Sequence, residues 1–148
     1  TVAARANFLG AVISSNERKV SVTRDEYIND ICVSLAGREA EIIKYKEAGI
    51  NTGASSDLES AILKANHAIF GLGMDGTLYN IAPAYIDSNI ELFSNQRELA
   101  IKKWIDNATN KTKKILNENW EDVENIANAV LEKEVLYLDD IKAILEKK

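Results

Sequence analysis

Residues 51–60 read "NTGASSDLES", and the pattern changes character inside them. Asn51 to Ser56 are small or turn-forming, and Gly53 offers a permissive backbone. "SDLE" then has the form of a capping box, with Ser56 as N-cap and Glu59 three residues on. Leu58, Ile62, Ala65 and Ile69 follow at helical spacing and mark a buried side. A helix is therefore expected from Ser55 or Ser56 to the glycines of "FGLGMDG". Asp57 falls in its first turn, where the helix macrodipole favours an acid by about 0.3–1 kcal/mol. The same carboxylate can also face outward to a cation while Ser56 caps the helix.

The chain on either side is mostly helical in pattern. Upstream, "TRDE" is a second capping box, Thr23 with Glu26, and Tyr27, Ile28, Ile31, Cys32 and Leu35 recur behind it. Gly37 either ends this helix or sits where another backbone comes close. Ala40, Ile42 and Ile43 resume the apolar pattern, so the helix is expected to continue to about Tyr45. "KEAGINTGAS" is then a loop, with Gly49 and Gly53 supplying backbone freedom.

Downstream, a third helix is expected over about Ser94 to Asn117, carrying Leu99, Trp104, Ile105, Ala108, Ile115 and Leu116. Asn119 is the expected cap of a fourth, with Val123, Ile126, Ala127, Val130 and Leu131 as its stripe. A short last helix follows Asp139 and turns Ile141, Ile144 and Leu145 inward. The first residues lack a helical period and read as two short strands, about Thr1 to Ala4 and Leu9 to Ser14, a hairpin or an edge pair. Two strands alone are marginal in water and need a partner. The expectation is one mainly α, multi-helix domain over residues 1–148, with a small β element in 1–20 and helices over 23–148.

Composition narrows the function classes. The 148 residues are 46% hydrophobic and 28% charged, the balance of a soluble globular domain, with net charge -5. That charge argues against a nucleic-acid platform, which needs a basic face. Lys111, Lys113 and Lys114 form the one basic cluster, offset by Glu118, Glu121 and Asp122, and read as a solvated helix face. The single cysteine, Cys32, allows no intrachain disulfide and reads as a buried, inert thiol. No apolar run approaches the roughly 18 residues of a membrane span, and no signal peptide is visible. The chain reads as cytosolic, or as the soluble part of something larger.

A catalytic zinc takes three protein ligands and keeps one position for water. His67 is the only histidine, ten residues after Asp57 on the same expected helix. At roughly 1.5 Å per residue the two lie about 15 Å apart along the axis, so one zinc does not bridge them. From residue chemistry alone, His67 reads as packing or surface.

Three motifs together resemble the protease domain of FtsH-type ATP-dependent zinc metalloproteases. They are "LAGREAE" (35–41), "NTGASSDLESA" (51–61) and the helical tail ending in "ILNENWEDVENIANAVLEKEVLYLDDIKAIL". The family carries L-G-G-R-x-A-E, T-T-G-A-x-x-D-L and a tail with an L-x-x-x-E-x-L pattern. The likeness runs over nearly the whole chain, and the T-G-A-x-x-D-L element is its specific part. In the family that aspartate is the third zinc ligand, which carried over is Asp57. Glu41, the acid of the A-E pair, is implied to support the site electrostatically. "FLGAVIS" resembles the family's strand of the A-L-G-V-T type, which assigns Leu9, Gly10, Ala11, Val12 and Ile13 to pairing with extended substrate by β-augmentation. The chain has Ala36 where the family commonly has glycine, and Asn51 in place of the first threonine.

The resemblance further implies zinc in the complete enzyme, ATP bound by an upstream domain, unfolded or extended polypeptide substrates, and a homo-hexamer. It implies membrane attachment only through upstream segments, at the cytosolic face. The family's H-E-x-x-H helix, with two histidine ligands and the general base, precedes the region matched here and is not in these residues. The chain alone is thus expected to hold no zinc and to be inactive. Two readings stand: part of a larger zinc endopeptidase, or a diverged relative kept as a non-catalytic helical scaffold. A third is an oxygen-only site for calcium or magnesium, built from Asp57 and surface acids.

Overall fold

The computed structural model describes residues 1–3, 12, 21–76 and 90–146, without the side chains of 90–94 and 96. Five α-helices occur among them: α1 (Arg24–Tyr45), α2 (Ser55–Asn66), α3 (Ile90–Glu118), α4 (Trp120–Lys133) and α5 (Leu138–Leu145). Short 3-10 turns at Lys46–Gly49 and Thr52–Ala54 lead into α2, and a π-helical turn, His67–Gly71, follows it. The mainly α expectation holds. No strand occurs among the described residues, so the β element expected at the start is not borne out there. Thr1–Ala3 run as irregular chain, and the Val2 amide donates to the Glu134 carbonyl at 2.9 Å instead of to a neighbouring strand. A strand pair without a sheet or helix to cover it has little to hold it. Leu9, Gly10, Ala11 and Ile13 lie outside the described residues.

The chain divides into two compact units, Val20–Ile115 and Thr1–Lys19 with Leu116–Lys148. In the first, α1 starts where its sequence dictates. The Thr23 amide donates to Glu26 Oε2 at 2.8 Å and the Glu26 amide to Thr23 Oγ1 at 3.3 Å, closing the capping box. Ile28, Ile31, Cys32 and Leu35 of α1 bury against Ala61 and Ala65 of α2, Ala68 and Ile69 of the π-helical turn, and Trp104 and Ala108 of α3. The buried side of α2 is thus an alanine face. Ile62, expected inward, is 50% exposed. Alanines at the contact let the helices approach closely, and a larger side chain is left for solvent.

Helix α3 crosses α1 through polar contacts as well. Cys32 Sγ lies 3.5 Å from the Ala108 carbonyl, and the buried Thr112 hydroxyl lies 3.5 Å from the Cys32 carbonyl while donating within α3 to Ala108 at 2.8 Å. Lys111 donates to Asn29 Oδ1 at 2.7 Å, and Lys113 lies 3.5 Å from the buried carboxylate of Glu39. Two lysines of the expected solvated face therefore engage α1. The α1–α3 contact around Cys32 agrees with its reading as a packed thiol.

Gly37 lies within α1, as the resumed apolar pattern implies, yet no atom lies within 4 Å of where its Cβ would be. Neither close packing nor a chain turn requires glycine there. Gly37→Ala is expected to stabilise this unit by roughly 0.5–1 kcal/mol, through helix propensity and a less flexible unfolded chain. An unchanged urea midpoint would show that the position is restrained by something other than backbone entropy.

The second unit holds α4 and α5 at the expected places. Asn119 is the N-cap of α4 by position, though its side chain makes no capping bond. Helix α5 starts one residue before Asp139, and its cap comes from Asp140, which accepts from the Tyr137 amide at 3.0 Å. Lys133 donates to Asp140 Oδ1 at 2.8 Å. These two donors, Lys133 first, hold the Asp140 carboxyl below its ordinary range. Their contribution is complete above the usual carboxylate pKa and is lost as pH falls through the lowered value. The expected stripes are less buried than their period implies. Leu131 is 69% and Leu145 42% exposed, and no residue of either helix is fully buried. Amphipathic spacing marks which residues share a face, and within this unit nothing described covers that face fully.

Candidate metal-ligating site

The loop between α1 and α2 is built on α1 itself. The 3-10 turn Thr52–Ala54 runs into Ser55, the first residue of α2, without an intervening coil residue. Asp57 is therefore the third residue of α2 and the acid of its first turn. It is exposed, and no hydrogen bond or ion pair links it to another described residue.

The local start differs from the expected capping box. Ala54 occupies the N-cap position of α2, and Ser56 makes no capping bond. The cap has moved upstream to the preceding turn. Asn51 Oδ1 accepts from the Gly53 amide at 2.7 Å, an Asx turn of the kind that competes with direct helix capping. The signal was present as Asn51 followed two residues later by Gly53, and the serines masked it. The Asn51 amide nitrogen donates to the Gly49 carbonyl at 3.0 Å and to Glu41 Oε2 at 3.1 Å. Glu41 thus reaches the site through Asn51.

The loop glycines do different work from that expected of them. Neither Gly49 nor Gly53 has a positive φ. The left-handed residue is Lys46, at φ 59° and ψ -148°. A side-chain-bearing residue in such a region costs of order 1–3 kcal/mol and persists where its surroundings over-determine it. Gly49 is needed for proximity, since a Cβ there would sit 2.6 Å from the Glu41 carbonyl oxygen. Backbone does not swing aside as a flexible side chain does. Gly49→Ala is expected to cost about 1–3 kcal/mol by overpacking, read from the midpoint of urea unfolding. A cost near zero would mean that the loop is not seated on Glu41.

His67 lies in the π-helical turn that continues α2, ten residues beyond Asp57. Its ring packs along its own turn, so that a Cβ on Gly71 would meet Nδ1 at 2.6 Å, and Tyr27 lies 6.2 Å away between ring centroids. With helical backbone from Ser55 through Gly71, the separation from Asp57 is about 15 Å along the axis. The histidine and the aspartate do not converge.

Among the described residues, no group of three His, Cys, Asp or Glu side chains is placed to hold a metal ion. Asp57 is an exposed carboxylate with a supported loop behind it, and an anionic oxygen of this kind fits one of the three protein positions of a catalytic zinc. The other two positions need donors beyond the described residues. Val12, assigned to substrate pairing, is 96% exposed, and the other four residues of that segment lie outside the described residues. Among the described residues no helix is long and apolar enough to cross a membrane.

Asp57 thus stands in the first turn of α2, directly behind the turn Thr52–Ala54. The sequence profile of peptidase family M41 matches residues 1–144, and the chain belongs to that family. It is 30% identical over 158 residues to the ATP-dependent zinc metalloprotease FtsH of Parabacteroides distasonis, an alignment covering 100% of this chain and 22% of that protein. It is 32% identical over 157 residues to the FtsH of Neorickettsia risticii, covering 100% of this chain and 24% of the relative. It is 29% identical over 147 residues to the mitochondrial inner membrane m-AAA protease component yta12 of Schizosaccharomyces pombe, covering 95% of this chain and 19% of that protein. The chain thus spans about a fifth to a quarter of the length of these relatives.

Proposed function

We propose that these residues are the metal-completing and helical part of an ATP-dependent zinc endopeptidase, in which Asp57 supplies the third zinc ligand. One observation carries this reading. Asp57 stands at the aspartate of the T-G-A-x-x-D-L element, within the residues matched to peptidase family M41, and is exposed in the first turn of a helix whose entry loop is tied to Glu41 of α1. Among the described residues, other first-turn acids, Asp25, Glu121 and Asp139, have no such loop beneath them. A donor for a metal needs one, because ligand geometry must be held within about 0.5 Å.

When bound, zinc supplies Lewis acidity and lowers the pKa of water. The contribution of this chain is positional: Asp57 offers an oxygen, and the turn Thr52–Ala54 sets its direction. The remaining donors, two histidines with a glutamate as proton acceptor, come from outside these residues. So does the ATP-binding domain. On this reading the 148-residue chain by itself does not hydrolyse peptides. The substrates are unfolded or extended polypeptides, and residues Leu9 to Ile13 pair with them through backbone hydrogen bonds. The complete protein is a homo-hexamer at the cytosolic face of a membrane, attached through segments other than these.

The direct test is the coding sequence on the 5′ side of Thr1, with the zinc content of the natural gene product. The expected result is an in-frame H-E-x-x-H and about one zinc per chain, as a His₂Asp catalytic site requires. A product with no paired histidines and no bound zinc would leave a helical scaffold.

A further inference from the structure

The side chain of Asn51 closes a three-point latch between the end of α1 and the start of α2. Its Oδ1 accepts from the Gly53 amide at 2.7 Å. Its Nδ2 donates to the Gly49 carbonyl at 3.0 Å and to Glu41 Oε2 at 3.1 Å. The Glu41 backbone also lies close against the buried Gly49, where an added Cβ would be only 2.6 Å from the Glu41 carbonyl oxygen. The turn Thr52–Ala54 leaves no coil residue before α2, so fixing Gly53 fixes the first turn of that helix.

We propose that Asn51 is a positioning residue for Asp57, tying the metal-ligating turn to the Glu41 carboxylate. This rests on the reading of Asp57 as a zinc ligand. A primary amide suits the task because it accepts from Gly53 and donates to Glu41 at the same time. Aspartate keeps the acceptor, loses the donor, and sets a like charge against Glu41. Alanine loses both. Asparagine at this position is thus coupled to glutamate at 41, and the substitution of the family's usual threonine is compensated by this bond.

The test uses the natural gene product and its Asn51→Ala, Asn51→Asp, Glu41→Gln and Asp57→Asn variants. Zinc affinity is measured by chelator competition, thermal melting in parallel, and amide hydrogen exchange at Gly53. Asn51→Ala and Asn51→Asp are expected to weaken zinc binding about 10–100-fold, the usual effect of losing a group that orients a ligand. Exchange at Gly53 rises in Asn51→Ala. Glu41→Gln, whose amide oxygen still accepts from Asn51, retains zinc. Wild-type zinc affinity in both Asn51 variants, with only a lowered melting temperature, would overturn the positioning role and leave a loop staple. That result is distinct from failure of the ligand assignment, in which Asp57→Asn itself keeps wild-type zinc affinity. If Asn51→Ala fails to fold, Asn51→Asp preserves the Gly53 turn and still decides.

Discussion

Asp57→Asn, made in the natural gene product, is expected to abolish stoichiometric zinc and proteolysis while the helices stay folded. The two effects separate because the proposed ligand role and the helix-dipole role draw on different interactions. As an acid in the first turn of α2 it gains about 0.3–1 kcal/mol from the helix dipole. Asparagine gives up that term and no bond to any described residue, since Asp57 is exposed and bonded to none of them. The melting temperature should therefore fall by at most a few degrees. As a metal donor, an amide oxygen lacks the negative charge that a carboxylate offers zinc. The loss of affinity should exceed the roughly 10–100-fold that removal of a supporting group costs. Elemental analysis, casein hydrolysis and circular dichroism on one preparation read all three quantities. Full zinc and wild-type turnover in a well-folded variant would reduce Asp57 to a helix-dipole partner.

Sequence periodicity carried most of the fold. Thr23 with Glu26 located the start of α1 to the residue, and Ile28, Ile31 and Leu35 were read as buried because a 3.6-residue period leaves them one common face. Periodicity failed where small residues made the contact. On α2 the expected Ala65 is buried, but the hydrophobic scale also favoured Ile62, whereas geometry chose Ala61, which lets α1 come close. It overreached on α4 and α5, whose stripes are apolar but only half-covered within their unit. A pattern reports which face is apolar and is silent on what lies against it. At the site, the placement of Asp57 in the first turn of α2 was legible in the sequence, and its proposed ligand role rests on the T-G-A-x-x-D-L resemblance. The capping of that turn was misassigned, because Ser56 and Asn51 are both good caps and the choice depends on where the Gly53 amide points. The contact of Gly49 with Glu41 links residues 8 apart in sequence through backbone proximity, for which no residue type is diagnostic.

Trp104→Ala is expected to remove about 3–5 kcal/mol, a large part of the roughly 5–15 kcal/mol that holds a domain of this size together. Trp104 is 5% exposed and belongs to the core where α3 meets α1 and α2. Burial within the first unit places its ring in this chain's own core, as its position in the apolar stripe implies. The Arg24 guanidinium lies 5.3 Å from the ring centroid, so the substitution also removes a cation–π contact at the start of α1. Four of the buried residues in the same cluster, Ala61, Ala65, Ala68 and Ala108, are alanines, which have no atoms to swing into a void. Where a site cannot collapse, the cavity term persists. Leu131→Ala makes the contrast, since a leucine 69% exposed on α4 should change stability by no more than about 0.5 kcal/mol. Urea unfolding of the two variants, with unchanged m-values, measures both. A Trp104→Ala loss as small as that of Leu131→Ala would mean that α1, α2 and α3 do not share the core described, and the turn that presents Asp57 would then have no rigid body behind it.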